Sequence, residues 1–205
     1  MLKIEKTEIH GWEPAIRGMR NPMNSWAKSD TDFTAGEIPK IGEADLDLMR
    51  RLAKAGTEHR KYLRMLAVYV DLMAPLYWWK EFDTYKVGTV CNSCSTMHKI
   101  HAKEFELDDF SHEQLPWGSK AFLGKIVYLL NYYRSEYCAT KDKVWWRQMI
   151  QLLPTSYNQK RTVMLNYEVL ANIYHSRKNH KLDEWHCFCE WIEGLPYSEL
   201  ITGRD

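Results

Sequence analysis

The sequence lacks a strong excess of charge of either sign, since 28 Lys and Arg residues oppose 27 Asp and Glu residues in 205. Such a balance gives no overall attraction to nucleic acid or to an anionic membrane surface. Long hydrophobic runs are also missing: the longest, over 65–79, is interrupted by Asp71 and Pro75 and is too short to span a bilayer. The first residues lack the apolar region of a secretory signal. We therefore expect a cytoplasmic protein whose partners include neither nucleic acid nor a membrane.

Cysteine is sparse, and the five residues present are an odd number without the density of a disulfide framework. Cys91 and Cys94 form a C-x-x-C pair, and Cys187 and Cys189 lie far downstream. In a helix, Cys187 and Cys189 point about 200° apart and cannot bind one metal ion together. We therefore expect small buried thiols and no metal site.

The common catalytic motifs are absent as well. No nucleophile elbow, phosphate-binding loop, dinucleotide-binding glycine pattern or H-E-x-x-H motif occurs. The eight histidines have no carboxylate partner at a defined spacing, so they are interpreted as surface or capping residues. Neither a hydrolase nor a kinase is supported by these residues.

Aromatic residues, by contrast, are abundant: 9 Trp, 12 Tyr and 6 Phe. Large rings of this kind fill a core, form an oligomer interface or line a pocket for a planar ligand. Composition alone leaves these three uses open.

The order of patterns predicts an α+β fold, mostly helical, with a small mixed or antiparallel sheet in a single domain over 1–205. Residues 1–42 contain many Gly and Pro residues and are expected to be a loop-rich segment with an edge strand at its start, before a core over 43–205. Strands are predicted within 62–72 and 103–111, and a loop over 84–98. Helices are predicted over 43–55, 76–83, 119–137, 142–153, 161–176 and 183–193.

The helix predicted over 161–176 carries polar residues among apolar ones. Asn166 and Arg177 are eleven positions apart, which returns to nearly the same helical face, and Asn172 lies between them. Asparagine is unfavourable inside a helix and costly to bury unpaired. Amide groups match the edge of a heterocycle, and a guanidinium matches a carbonyl or an anion. A polar ligand site and an exposed polar face are both compatible with this pattern.

The spacing of these residues resembles the C-terminal signature of the flavin-dependent thymidylate synthases. There, a Leu-Pro pair, here 153–154, precedes two asparagines and an arginine at the spacing of Asn166, Asn172 and Arg177. Upstream, 74–77 resembles the start of the helix that precedes the signature loop of the family. Residues 84–86 and 92–98 match that loop in order, with one inserted residue. The resemblance covers roughly residues 62–195.

This resemblance implies the family's fold and reaction, the reductive methylation of dUMP or a related pyrimidine nucleotide. Methylenetetrahydrofolate would supply the carbon, FAD would carry the hydride, and NADPH would reduce the flavin. It also implies a homotetramer with active sites at subunit interfaces. Trp78, Trp79 and Tyr85 then become candidates for a pocket or an interface.

The resemblance further assigns roles to individual residues. Arg177 would be catalytic and would contact the pyrimidine, where its charge could stabilise negative charge developing on the ring. The residues assigned to the cofactor are Tyr85, Lys86, Asn92, Asn166 and Asn172. The residues assigned to the substrate are Glu81, Ser93, Ser95, Arg147 and Arg177. No residue is assigned to a metal.

Several charged residues of the family are replaced here. The Arg-His-Arg of the loop is 84–86, Thr-Tyr-Lys, and the later Arg-Tyr pair is 97–98, Met-His. Ser93 replaces a glutamate, Glu168 replaces an arginine, and Arg147 lies one turn before the position of another arginine. Because a nucleotide phosphate normally takes several charge-assisted bonds, two alternatives remain open. One is a homologue that binds flavin or nucleotide without thymidylate synthase activity, and the other is an oligomeric structural or regulatory protein.

Overall fold

The computed structural model describes residues 2–203 and contains a four-stranded antiparallel sheet with the strand order β1-β2-β4-β3. The strands are β1 (Lys3–His10), β2 (Ala67–Pro75), β3 (Val90–Ser93) and β4 (Asn158–Asn166). The helices are α1 (Trp12–Arg20), α2 (Glu43–Lys54), α3 (Leu76–Phe82), α4 (Thr96–Lys99), α5 (Trp117–Thr140), α6 (Lys143–Leu152), α7 (Tyr167–Arg177), α8 (Asp183–Glu193) and α9 (Glu199–Thr202). The predicted fold class, mostly helical α+β with a small sheet, is confirmed. Within 2–203 no helix combines the length and the apolarity that a membrane span requires.

Two compact units divide the chain. The first consists mainly of 72–84 and 92–161 and includes α5 and α6, whose apolar residues surround Leu130 and Met149. In the same unit Trp78, Trp79 and Phe82 form one cluster of buried rings. The expectation that Trp78 and Trp79 line a pocket or an interface is therefore wrong for this chain, because α3 turns both rings into the core.

The second unit comprises 4–71, 85–91 and 162–203. It contains α1, which the prediction of a loop-rich segment over 1–42 missed. The buried residues Trp12, Ala15, Ile16 and Met19 follow a helical period, while Pro14 and Gly18 obscure it in the sequence. Gly11 makes the turn between β1 and α1 possible, since its φ is 97° and a Cβ there would lie 2.1 Å from the Met65 carbonyl oxygen.

Three other predicted elements differ from the structure. The loop expected over 84–98 contains the strand β3. The strand expected within 103–111 is replaced by a 3-10 turn, Leu107–Asp109, in which the Asp109 carboxylate accepts a bond from the Glu106 amide. The helix expected over 161–176 begins only at Tyr167. Val163 and Leu165 are both fully buried two positions apart, which is the period of a strand.

The cysteines of α8 point in different directions, as predicted: Cys189 is buried and Cys187 is exposed. The expectation of buried thiols nevertheless fails for Cys94, Cys138 and Cys187, which are all exposed. Burial raises the pKa of the Cys189 thiol to about 11, so this group stays protonated at neutral pH.

Candidate functional site

Arg177 is the last residue of α7, and two aromatic side chains fix its guanidinium. Its Nε donates a hydrogen bond of 2.9 Å to the Tyr85 hydroxyl. The guanidinium carbon lies 4.8 Å from the Trp185 ring centroid and 5.6 Å from the Tyr85 ring centroid. Trp185 on α8 is fully buried, so it provides a rigid surface for stacking. The structure thus brings together Tyr85 and Arg177, which the sequence assigned to cofactor and substrate.

Asn166 occupies the opposite end of α7. It is the N-cap residue, and its Oδ1 accepts a bond of 3.0 Å from the Val169 amide. The prediction that Asn166 and Arg177 share one helical face is therefore wrong, because Asn166 lies outside the helix. At 1.5 Å per residue, the two residues are separated by about 16 Å along the axis.

The segment 85–91 approaches the start of α7 at Gly88, which has a φ of 77°. A Cβ at this position would lie 3.1 Å from Asn166 Nδ2 and 3.2 Å from Val169 Cγ2. Glycine is therefore the residue that allows the loop to approach the N-cap residue of α7. Neither Gly88 nor Trp185 was among the predicted site residues, although a glycine within a loop can indicate such a close approach.

Lys86 and Asn172 are the remaining cofactor residues predicted in the second unit. Both side chains are exposed and form no hydrogen bond within 2–203. The structure leaves their polar groups in solvent and does not join them to the pair of Tyr85 and Arg177.

Glu168 occupies a position at which the family resemblance predicts an arginine. In the structure the guanidinium of Arg60, from a distant part of the sequence, pairs with Glu168. Arg60 Nη2 donates a 3.0 Å hydrogen bond to Glu168 Oε1, and Arg60 Nε lies 2.8 Å from Glu168 Oε2. The carboxylate is on the first turn of α7, where the helix dipole favours negative charge. Because 108 positions separate the two residues, no local pattern in the sequence could have revealed this pair.

The predicted nucleotide residues Asn92, Ser93 and Ser95 lie in the first unit, in and after β3. All three are exposed. Ser95 caps α4, since its Oγ accepts a 3.0 Å bond from the His98 amide. Its hydroxyl proton can still be donated to an acceptor such as a phosphate oxygen.

Two other predicted substrate residues lie on helices of the first unit. Arg147 is exposed on α6, and the neighbouring Trp146 donates through Nε1 to the Met97 carbonyl at 3.0 Å. This bond links α6 to α4 one residue before Arg147. Glu81 is partly buried on α3.

A cleft of about 360 Å³ opens beside Ser95. Its walls include Ser95, Lys99, Lys103, Phe105, Tyr157 and Lys160. Lys103 lies 2.5 Å from an Asp109 carboxylate oxygen, and this hydrogen bond raises the pKa of its ammonium. Burial raises the pKa of the Tyr157 hydroxyl, which keeps it neutral. Lysines beside aromatic rings fit an anion that carries a flat ring, and the prediction had missed the lysines.

Comparisons with known proteins identify the fold. The sequence matches no family model and no curated protein sequence. The structure is similar to thymidylate synthase X from Helicobacter pylori solved with FAD and dUMP, with a TM-score of 0.76 and 17% identity over 99% of this chain and 98% of that one. A second structure, described as flavin-dependent thymidylate synthase from Helicobacter pylori complexed with FAD and dUMP, gives a TM-score of 0.70 at 16% identity, covering 97% of this chain and 99% of that one.

A further neighbour is the UMP/dUMP methylase PolB from Streptomyces cacaoi bound with 5-Br UMP. It has a TM-score of 0.63 and 12% identity, over 99% of this chain and 95% of that one. These similarities extend over nearly the whole chain at low identity. The chain therefore has the fold of the flavin-dependent thymidylate synthases.

Proposed function

We propose that the protein is a divergent flavin-dependent nucleotide methyltransferase. Its reaction would be the reductive methylation of dUMP or a related pyrimidine nucleotide, with FAD as the cofactor and methylenetetrahydrofolate and NADPH as co-substrates. Support comes from the fold, shared over nearly all of the chain with proteins solved with FAD and dUMP or with a UMP analogue. The observation that carries the proposal is the fixed guanidinium of Arg177 between Tyr85 and Trp185.

Arg177 suits the chemistry because its charge is permanent and its orientation is set before substrate binds. A guanidinium held in place stabilises negative charge that develops on a pyrimidine carbonyl without a cost of reorganisation. The bond that Nε donates to the Tyr85 hydroxyl holds one edge of the guanidinium, and the Trp185 ring packs against it. Arg177 is thus the proposed catalytic residue and a contact to the pyrimidine.

The residues of the site fit a flat, polar cofactor. FAD, when bound, supplies the hydride. Tyr85 offers a ring, Asn166 and Asn172 offer amide groups, Lys86 offers an exposed cation, and Asn92 lies at the end of the following strand. The close approach at Gly88 keeps the backbone of 85–91 next to Asn166, where a larger residue would force the two apart.

The nucleotide is proposed to contact Ser93, Ser95, Arg147 and Glu81 in addition to Arg177. Lys99, exposed on the wall of the cleft beside Ser95, adds a cation close to Met97, the position at which the family resemblance calls for an arginine. A lysine at this place would partly replace the lost charge on a phosphate.

We also propose a homotetramer with active sites at subunit interfaces. The observation that supports it is a second apolar face on α5, formed by exposed rings and a leucine: Trp117, Phe122, Tyr128, Leu129 and Tyr132. These residues lie within about 140° of the helix circumference. Aromatic residues on an exposed helix face are typical of an interface core. The five free cysteines suit a reducing compartment, for which we propose the cytoplasm.

The experiment that tests the function begins with the absorbance of the purified protein. Bound oxidised flavin should absorb at roughly 450 nm, and dUMP or UMP should raise the melting temperature because each binds the native state. Arg177→Ala should abolish dTMP formation from dUMP and weaken nucleotide binding, whereas Lys178→Ala, at the adjacent exposed lysine, should retain both. Failure to bind flavin after incubation with FAD would contradict the enzyme proposal.

A second candidate is a homologue that binds flavin or nucleotide without methylation, or that acts as a structural or regulatory subunit. The loss of charged side chains at Thr84, Ser93 and Met97 favours it. The same experiment separates the two: flavin and nucleotide binding without any dTMP product identifies the second candidate.

A further inference from the structure

Gln159 is a buried polar residue of β4, 8% exposed, that lies against the segment Asn92–Ser95. Its Nε2 donates a 2.7 Å hydrogen bond to the Cys94 carbonyl, and its Oε1 accepts a 3.0 Å bond from Arg161 Nε. Arginine can only donate and a carbonyl can only accept, so these two partners fix which end of the amide is which. The amide of Gln159 has one orientation that satisfies both neighbours.

Arg161 is itself firmly held. Its Nη1 donates to Asp83 Oδ1 at 2.6 Å, its guanidinium carbon lies 4.1 Å from the Trp79 ring centroid, and its side chain is 13% exposed. Trp79, which is 1% exposed, also donates from Nε1 to the Gln159 carbonyl at 3.0 Å. Gln159 is thus connected to α3 in two ways. Its backbone carbonyl accepts from Trp79, and its side chain bonds Arg161, which stacks on Trp79 and pairs with Asp83.

At the other end of this connection, Cys94 is held by its backbone and not by burial. Its amide donates to the Lys160 carbonyl at 2.9 Å, and its carbonyl accepts from Gln159 at 2.7 Å, whereas its side chain is exposed. The next residue, Ser95, caps α4. The direction of the exposed Asn92, Ser93 and Ser95 side chains therefore depends on the position of the Cys94 peptide groups.

We infer that Gln159 is a positioning residue for the proposed nucleotide-binding segment Asn92–Ser95, acting through the Cys94 carbonyl and oriented by Arg161. This inference rests on the proposed function for the role of the segment. The geometry of the connection itself does not depend on it. Gln159 touches neither substrate nor cofactor in this proposal, and its contribution is to keep Ser95 and its neighbours where a nucleotide can bind.

The test is Gln159→Glu in the full chain, with native-state hydrogen exchange and dUMP titration. The carboxylate keeps the acceptor for Arg161 but loses the donor and repels the Cys94 carbonyl. Because a bond is lost and a carbonyl is left unsatisfied, we expect the Cys94 amide to exchange at least about tenfold faster. The KM for dUMP should rise by a similar factor with a smaller change in kcat, since a displaced loop weakens binding first.

Asn158→Asp makes the same chemical change one residue away, and it should leave exchange at Cys94 unchanged. Arg161→Lys serves as the second variant in case Gln159→Glu does not fold. It keeps the positive charge opposite Asp83 but loses the planar guanidinium that bonds Gln159. The Cys94 amide should therefore exchange faster than in the wild type, but by a smaller factor than in Gln159→Glu. Unchanged exchange of the Cys94 amide in Gln159→Glu overturns the inference. If Gln159→Glu does not fold, unchanged exchange of this amide in Arg161→Lys overturns it. If the Cys94 amide exchanges faster in the variant but the wild type itself binds no dUMP, the connection from Gln159 to Cys94 stands and the proposed function is refuted.

Discussion

Asp45 shows how a single buried carboxylate organises the region before α2. Its Oδ1 accepts a 2.6 Å bond from Arg20 Nε, and its Oδ2 accepts from the hydroxyls of Ser29 and Thr31 and from the Asp30 amide. Burial alone would raise the pKa of this group, but the hydrogen bonds of Thr31, Ser29 and Arg20 together hold the pKa below its usual value. Asp45 thus ties the irregular segment after α1 to α2.

Replacing Asp45 should therefore cost much stability. Asp45→Ala leaves the charge of Arg20, which is 4% exposed, without its partner, and we expect the free energy of unfolding to fall by about 3 to 5 kcal/mol in urea denaturation. The exposed pair of Arg17 and Glu13 is the matched control, because Glu13→Ala should cost about 1 kcal/mol or less. Equal losses in the two variants would contradict the assigned role.

The same carboxylate predicts a dependence of stability on pH. A pKa that is lower in the folded than in the unfolded protein gives stability that is present above the unfolded value of about 3.9 and is lost as the pH falls through the folded value. Asp45→Asn should remove this component, so its unfolding free energy should fall less steeply in acid than that of the wild type. Parallel curves for the two proteins would show that other carboxylates account for the acid sensitivity.

At the scale of elements, helices with strong end signals are predictable. The sequence indicates α2, α6 and α8 nearly to the residue, because Gly56 follows the first, Asp142 and Pro154 bracket the second, and Gly194 ends the third. The join between β4 and α7 is not predictable in this way. Asn166 fits a helical stripe by its spacing, and only the pairing of β4 between two neighbouring strands makes residues 158–166 extended.

This join provides a test of what Asn166 does. Asn166→Ala should lower the free energy of unfolding by about 1 kcal/mol through loss of the cap, whereas Asn166→Asp keeps an acceptor and should retain most of that stability. If the amide also serves the cofactor, Asn166→Asp should lose flavin affinity, since it cannot donate a hydrogen bond. Melting curves and flavin titration measure the two effects separately. Unchanged flavin binding in Asn166→Asp would assign the residue to the cap alone.

At the scale of the whole molecule, the part of the candidate site that depends on short-range spacing can be predicted from the sequence. The order Asn166, Asn172 and Arg177 and the position of Tyr85 are visible in the chain. The pairing of Arg60 with Glu168 and the link from Arg161 through Gln159 to Cys94 are not, because they join segments far apart in sequence. The replaced charges are visible in the sequence, whereas the pairing of Glu168 with Arg60 is visible only in the structure.

Assembly is the property of the whole molecule that the surface of α5 addresses. The buried face of this helix carries Leu123 and Leu130, and the exposed apolar face lies on the other side. Two copies of α5 can pack antiparallel about a two-fold axis that passes between residues 130 and 131. In this register Leu129 of one copy lies opposite Tyr132 of the other. The same register sets Lys125 opposite Glu136, and neither forms an ion pair within residues 2–203. The face is thus complementary to itself, as a two-fold interface requires.

This register predicts a charge-swap result. Lys125→Glu sets two acidic residues against each other across the proposed interface, where like charges cost several kcal/mol. It should convert the proposed tetramer to dimers in analytical ultracentrifugation. The double variant Lys125→Glu with Glu136→Lys should restore the tetramer, because the attraction returns with its sign reversed on each chain. Lys120→Glu introduces the same charge on the helix but outside the exposed apolar face, and should leave the assembly unchanged. A monomeric wild type, or a double variant that fails to reassemble, would rule out pairing of α5 in this register.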